Sequence, residues 1–192
     1  MSNEKTKFGD SCDATVTRGA GQTEIMGLEG VYTAECFDAQ GNLKWSDTFK
    51  NLTTNVGRAN MMNSYFGNTG GGAIVMGLKG TGTAAYADTQ ASHAGWLEVG
   101  NANAPTYSGT RKTPVFASAT SANPSVLATS AAVTFSMTGS GTVAGAFINV
   151  GGTSAIDNTT GTLFSAGDFT AGSKVVASGD TINVSYTLSA AG

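Results

Sequence analysis

The chain predicts a mainly β protein: an antiparallel β-sandwich of jelly-roll-like character, with an N-terminal extended arm, a β-hairpin and one short helix. Three observations carry that prediction. Apolar residues recur with a period of two over short segments, the spacing of strands with one buried face. Turn signals separate those segments at fairly regular intervals, supplied by 27 glycines and abundant Ser and Thr. A single segment combines helical spacing with a start and a stop signal. At 192 residues, the chain can build one sizeable core, since a domain of this length buries about 70% of its unfolded-chain surface. It contains no internal repeat.

Residues 1–29 are polar, contain Gly and show no sustained period, so they read as an extended arm. Such an arm is either an unheld tail or a tether lying on a neighbouring subunit. From Gly30, Tyr32, Ala34 and Cys36 alternate with Thr33 and Glu35 as a half-buried strand. Asp38-Ala39-Gln40-Gly41-Asn42 supplies turn chemistry. Its spaced oxygens resemble a calcium loop, but no Glu closes the required span. Leu43, Trp45 and Phe49 then share one face of a second strand, opposite Lys44, Ser46, Thr48 and Lys50.

The helix follows. Thr54 or Asn55 can cap it, Val56, Ala59, Met62 and Phe66 mark one apolar face, and Gly67 stops it. An isolated hairpin and a three-turn helix are both marginal in water, so the two are expected to dock, with Trp45 as anchor. Residues 68–72 form a Gly-rich break before an apolar strand from Ala73 to Leu78. A long irregular stretch holding His93, Trp96 and Tyr107 runs to about Pro114. Beyond it, Val133, Phe135 and Met137 alternate with polar residues. Val143 to Val150 is continuously apolar, which suits a central strand. Leu163-Phe164 and Val175-Val176 are short, and Ile182, Val184, Tyr186 and Leu188 give the cleanest alternation. The expected organisation is an arm over 1–29, a hairpin plus helix over 30–67 docked on the main domain, and a sandwich over 68–192.

Composition narrows the function. A net charge of −3 and a pI near 5.0, with ten scattered Lys and Arg, leave no electrostatic footprint for nucleic acid. No apolar run approaches the roughly 18 residues that span a bilayer, so no membrane partner is expected. The polar start, Met1-Ser2-Asn3-Glu4-Lys5, does not read as a secretory signal. The sequons at Asn51, Asn158 and Asn183 are then coincidental, and Cys12 and Cys36 are read as free thiols.

Catalytic equipment is sparse. The chain has one histidine and 12% charged residues. His93, with Asp88, Ser92 and Glu98 nearby, could be drawn as an acid–base group, but no nucleophile elbow occurs and a lone loop His is more often a structural hydrogen-bonder. One His without spaced Cys does not make a zinc site. Gly80-Thr81-Gly82-Thr83-Ala84-Ala85 has dinucleotide-turn spacing, yet no helical period or second strand follows. Asp157, Asp168 and Asp180 fall among turn residues, where Asp caps local backbone. Trp96 and Tyr107 could stack on sugar, or be buried rings pinning the long loop; the second reading is preferred. No catalytic, cofactor or metal residue is assigned, and no enzyme activity is expected.

Several stretches resemble a family of small virion proteins of tailed bacteriophages. They are Gly30-Val31-Tyr32-Thr33-Ala34-Glu35-Cys36 continuing through Asp38, Gly41, Asn42, Lys44 and Trp45 to Asn51-Leu52 and Asn55-Val56-Gly57; then Asp88-Thr89 with Ala91-Ser92-His93-Ala94-Gly95-Trp96; and Gly161 to Gly167 with Gly179 to Leu188. The resemblance implies a non-enzymatic capsid cement or decoration protein, made in the host bacterial cytoplasm and placed on the capsid exterior. Its implied partners are the major capsid protein and two further copies of itself in a homotrimer. The arm and residues 30–66 are the expected bridging surface, with Tyr32, Lys44, Trp45, Lys50 and Arg58 as contact residues. A tail, collar or fibre-attachment role is the alternative. A carbohydrate-binding module using His93, Trp96 and Tyr107 is a third reading.

Overall fold

The computed structural model describes residues 26–67 and 71–192. The described chain is mainly β, as expected, with eleven strands and one helix among those residues. The segments Gly27–Phe37 (β1) and Leu43–Thr53 (β2) form the hairpin, followed by the helix Asn55–Phe66 (α1). Then come Ile74–Gly82 (β3), Trp96–Val99 (β4), Ser125–Ala128 (β5), Val133–Ser136 (β6), Gly141–Val143 (β7), Gly145–Val150 (β8), Thr162–Asp168 (β9), Lys174–Val176 (β10) and Thr181–Ala191 (β11).

Every strand pairing is antiparallel. The main sheet runs β4-β3-β8-β9-β2-β1-β11-β5, with β6 also on β11, and β7 pairs with β10 separately. β2 turns this sheet into two layers. Its residues Leu43 to Lys50 pair with β1, whereas Asn51 to Thr53 pair with β9. One strand thus leaves the first layer and joins the second, which is how a sandwich makes a corner. Tyr32, Phe49 and Tyr186 from the first layer and Met76, Ile148 and Phe164 from the second close one apolar core. The Tyr32 hydroxyl reaches Ser165 Oγ across that core at 3.0 Å.

The hairpin is therefore no docked appendage. It occupies the middle of the sheet, between β9 and β11, and a boundary at residue 67 does not separate two units. Gly27 to Glu29, expected in the arm, instead pair with Ala191 to Ser189 as part of the sheet. The rest of the arm expectation, and Cys12, lie outside the described residues. The turn forms as its chemistry dictates: Asp38 Oδ1 accepts from the backbone N–H of Gln40 and Asn42, and Gly41 takes φ +84°. The Asn42 side-chain amide donates to the same carboxylate, and that bond, followed by the backbone ones, holds the Asp38 carboxyl below its ordinary pKa.

Two packing expectations are corrected. Along β2 the core residue is Phe49, at 2% exposure; Leu43 is exposed and Trp45 only half-buried, edge-on to Phe169. Between them Asp47 is buried, held by Lys174 and the backbone N–H of Thr170. The helix is turned the other way from its apolar pattern. Its docked side carries Gly57, which is buried, and Met61, while Val56, Ala59, Met62 and Phe66 face outward.

The cause lies in β9. The ladder slips between Ile148 opposite Ser165 and Asn149 opposite Leu163, so Phe164 is the extra residue of a bulge. Its freed carbonyl accepts from Thr54 N–H at 3.0 Å. Thr54 is the N-cap: its hydroxyl accepts from Gly57 N–H and donates to Leu163 O. That cap fixes the first turn against β9, and only a residue without Cβ fits at position 57. A Cβ there would sit 2.3 Å from Phe164 O.

The long stretch before Pro114 hides β4 and folds over the second layer. β8 is buried at all six positions, in keeping with a central strand. The apolar run that begins at Val143 is divided, however, since β7 pairs with β10 and β8 with β3 and β9.

Candidate functional site

Two regions gather the residues that the sequence singles out. The first is the covered outer face of the β4-β3-β8-β9 layer. Its small apolar cluster is Trp96, Phe147, Leu163 and Ala166. Alternation in β8 sends Ala146 and Ile148 to the main core and Phe147 to this second face. The loops above it carry polar groups, and burial obliges those groups to find one another.

Trp96 is 2% exposed, and its indole N–H donates to Asp88 Oδ2 at 2.9 Å. His93 stacks on it with centroids 4.0 Å apart, and His93 Nδ1 lies 3.0 Å from Trp96 O. Lys79 is fully buried beside the same ring, 5.6 Å from its centre. Its ammonium pairs with Asp168 Oδ1 at 2.5 Å and donates to the carbonyls of Gly80 and Gly82. The carbonyls of the Gly80–Gly82 segment thus cradle the buried Lys79 ammonium. Glu98 and Arg111 form a forked pair at 2.8 and 2.6 Å, both buried. Glu98 Oε2 also accepts from Asp157 N–H, and Arg111 donates to the carbonyls of Asn158 and Thr153. Asn149 and Gln90 complete the layer with an amide–amide bond of 2.8 Å.

A cleft of about 410 Å³ opens beside these groups, with His93, Leu97, Asn103 and Asn158 on its walls. The titratable groups in and beside it have partners within the chain. Asp88 is bound by Trp96 and by Ala85 N–H, Glu98 by Arg111, and His93 by the Trp96 ring and carbonyl. None of the hydrogen bonds of His93 joins it to a nucleophile. Among the described residues, no group of three His, Cys, Asp or Glu side chains could hold a metal ion.

Tyr107 is not part of this cluster. It is buried in the main core, edge-on to Phe135 at 5.0 Å, and burial pushes its hydroxyl pKa upward. Trp96 and Tyr107 thus offer no free ring face to a sugar, which removes the carbohydrate-stacking reading. Both rings pin loops, as the preferred reading holds. Sequence reasoning missed Lys79, Arg111 and Asn149. For Lys79 and Asn149 the signal was a charge or amide set in an apolar run, which demands a buried partner; Arg111, within the polar stretch Ser108 to Thr113, carried no such signal.

The second region is the hairpin and helix. Tyr32 has zero exposure and packs on Phe49 and Tyr186, so it cannot touch a partner; it is a core residue. Trp45 is half-buried, its indole donating to Val175 O at 3.3 Å. Lys44 is tied to the buried Asp180, which also accepts from Ala177 N–H at 2.7 Å. Cys36 lies 3.9 Å from the same carboxylate, and burial followed by that negative charge pushes its thiol up to about 11. Lys50 and Arg58 remain at the surface. Lys50 pairs with Glu29 at 2.6 Å, and Arg58 bonds Asn55 Oδ1 and lies over the Tyr86 ring. Beyond them, Met62, Tyr65 and Phe66 stand out from α1 at 58%, 82% and 82% exposure.

The class defined by fold and site is thus a two-layered antiparallel β-sandwich with a capped surface helix. No family model, curated protein or solved structure matches the chain.

Proposed function

We propose that this chain is a non-enzymatic structural protein of a tailed-bacteriophage virion, acting as a capsid cement or decoration protein on the lattice of the major capsid protein. One observation supports it above others: the buried charged residues other than Asp88 each meet an opposite charge. Lys79 pairs with Asp168, Arg111 with Glu98, Lys44 with Asp180 and Lys174 with Asp47, and all but the Arg111–Glu98 pair join segments far apart in sequence. Such pairs stiffen a scaffold and leave its loops in one arrangement, which suits adhesion by shape. Many copies held on a rigid lattice also bind with an effective concentration that makes modest single contacts sufficient.

Lys50 and Arg58 are the surface cations of the bridging face; Tyr32 has left that set. The other proposed bridging element is the N-terminal stretch read as an arm over residues 1–29; of it, Gly27 to Glu29 are sheet, and residues 1–25 lie outside the described residues. Quantitative mass spectrometry of purified virions tests the role. A copy number that scales with the capsid lattice supports cement, and the few copies of a single ring point to tail, collar or fibre attachment. Absence from the particle overturns the virion reading altogether. Deleting residues 1–25 is expected to lower particle occupancy while the sandwich stays folded.

A further inference from the structure

We propose that the outward face of α1 is a self-association surface, covered in solution by a second copy of this chain. The inference stands on the helix alone and does not require the virion role.

The starting point is the reversal of the helix. A surface helix normally turns its apolar stripe to the core and its polar residues to water. Here the docked side is built from Gly57 and Met61, and the apolar residues Val56, Ala59, Met62, Tyr65 and Phe66 are all exposed. Met62, Tyr65 and Phe66 stand at i, i+3 and i+4, so they form one continuous surface. Tyr65 and Phe66 pack edge-on at 5.0 Å, giving a paired aromatic knob.

A complementary hollow lies beside the knob. An apolar groove of about 330 Å³ runs between α1 and the sheet, walled by Met61, Val150, Phe164 and Leu188. Ser64 lines it too, with its buried Oγ lacking a hydrogen-bond partner within the chain. Knob and hollow on one patch make that patch self-complementary, which is what a closed symmetric contact requires.

Charge and area favour a second copy over an unrelated partner. The chain carries a net −3, so two copies repel in general. On α1, Arg58 is the sole charged residue, and Ala59 to Phe66 carry none. The patch is therefore where copies can meet without opposing charge. A free aromatic side chain offers roughly 150–250 Å². At 82% exposure the two rings leave on the order of 300 Å² open. With Met62 and the groove walls, two such patches bury on the order of 1,000 Å² together, the lower limit of a specific interface. A contact at that lower limit is expected to be weak and reversible.

Sedimentation velocity of the full chain, over a dilution series through the micromolar range, tests this. The wild type is expected to associate as a closed dimer. Y65S/F66S is expected to raise the dissociation constant on the order of tenfold or more, with unchanged circular dichroism and urea midpoint. Should that double variant fail to fold, M62K sets a charge facing its mate and is expected to weaken association likewise. Val175→Ser, at an exposed position on β10, is expected to leave association intact. A wild type that stays monomeric throughout, or association that survives both helix variants, overturns the inference. A monomer that still decorates capsids would overturn it while leaving the virion reading standing.

Discussion

The nitrogen of Gly57 donates to Thr54 Oγ1 at 3.0 Å, and the Cα of Gly57 rests against the Phe164 carbonyl so closely that a Cβ would lie 2.3 Å from that oxygen. Helix α1 is held to the sandwich at this point, through a cap on one side and a β-bulge on the other.

Gly57→Ala therefore sets two effects against each other. In an exposed helix interior, Ala would gain about 1 kcal/mol over Gly. Here the added methyl meets backbone that cannot rotate away, an overpacking cost of about 1–3 kcal/mol or more. Net destabilisation is expected, larger for Gly57→Val, and urea denaturation measures it. A stabilised Gly57→Ala would mean that the helix sits farther from β9.

Glu98 and Arg111 are both buried, so removing one leaves the other unpaired. Arg111→Met is expected to cost about 3–5 kcal/mol. E98M/R111M should recover part of that loss, because no lone charge remains. Recovery is incomplete, since Asp157 N–H and Asn158 O each lose a partner. A double-mutant cycle by chemical denaturation reads the coupling, and strict additivity would contradict the buried pairing.

Phe49 and Trp45 reverse the ranking that residue size suggests. Phe49→Ala empties a core position in contact with Tyr32 and Phe169 and is expected to cost about 3–5 kcal/mol. Trp45→Ala, at a half-buried rim position, is expected to cost less. Thermal unfolding of the two variants under identical conditions decides it; a larger loss at Trp45 would place the core elsewhere.

Alkaline pH is expected to destabilise this protein through its buried phenols and thiol. Burial raises Cys36 from 9.0 to about 11 and Tyr186 from 10.0 to about 12, and raises Tyr32 and Tyr107 as well. In each case the folded state holds its proton when the unfolded chain has lost it. The stabilisation is thus complete below pH 9 and is lost as pH rises towards 11 and 12. Urea midpoints should fall across that window, and folded Cys36 should resist thiol reagents at pH 8 until denaturant is added. A midpoint that rises with pH there would contradict the burial of these groups.

The hairpin was legible because its signals are local. Tyr32, Ala34 and Cys36 alternate within one strand, and Asp38 closes the turn through bonds to residues two and four places on. The His93–Trp96 contact was legible for the same reason, spanning three residues. Tyr107 was not, because only the fold decides that it joins Phe135 in the core instead of Trp96.

By itself, then, the sequence determined the strand-rich character, the central place of β8 and the position of the helix, since period, turn chemistry and caps act between near neighbours. Tertiary structure alone decided that β2 joins both layers, that Lys79 meets Asp168 and Arg111 meets Glu98, and that α1 docks by Gly57 and Met61. The helix is the sharpest case. An apolar stripe ordinarily goes inward, but an N-cap bonded to the Phe164 bulge leaves room only for a residue without a side chain, and that close approach turned the stripe to the outside.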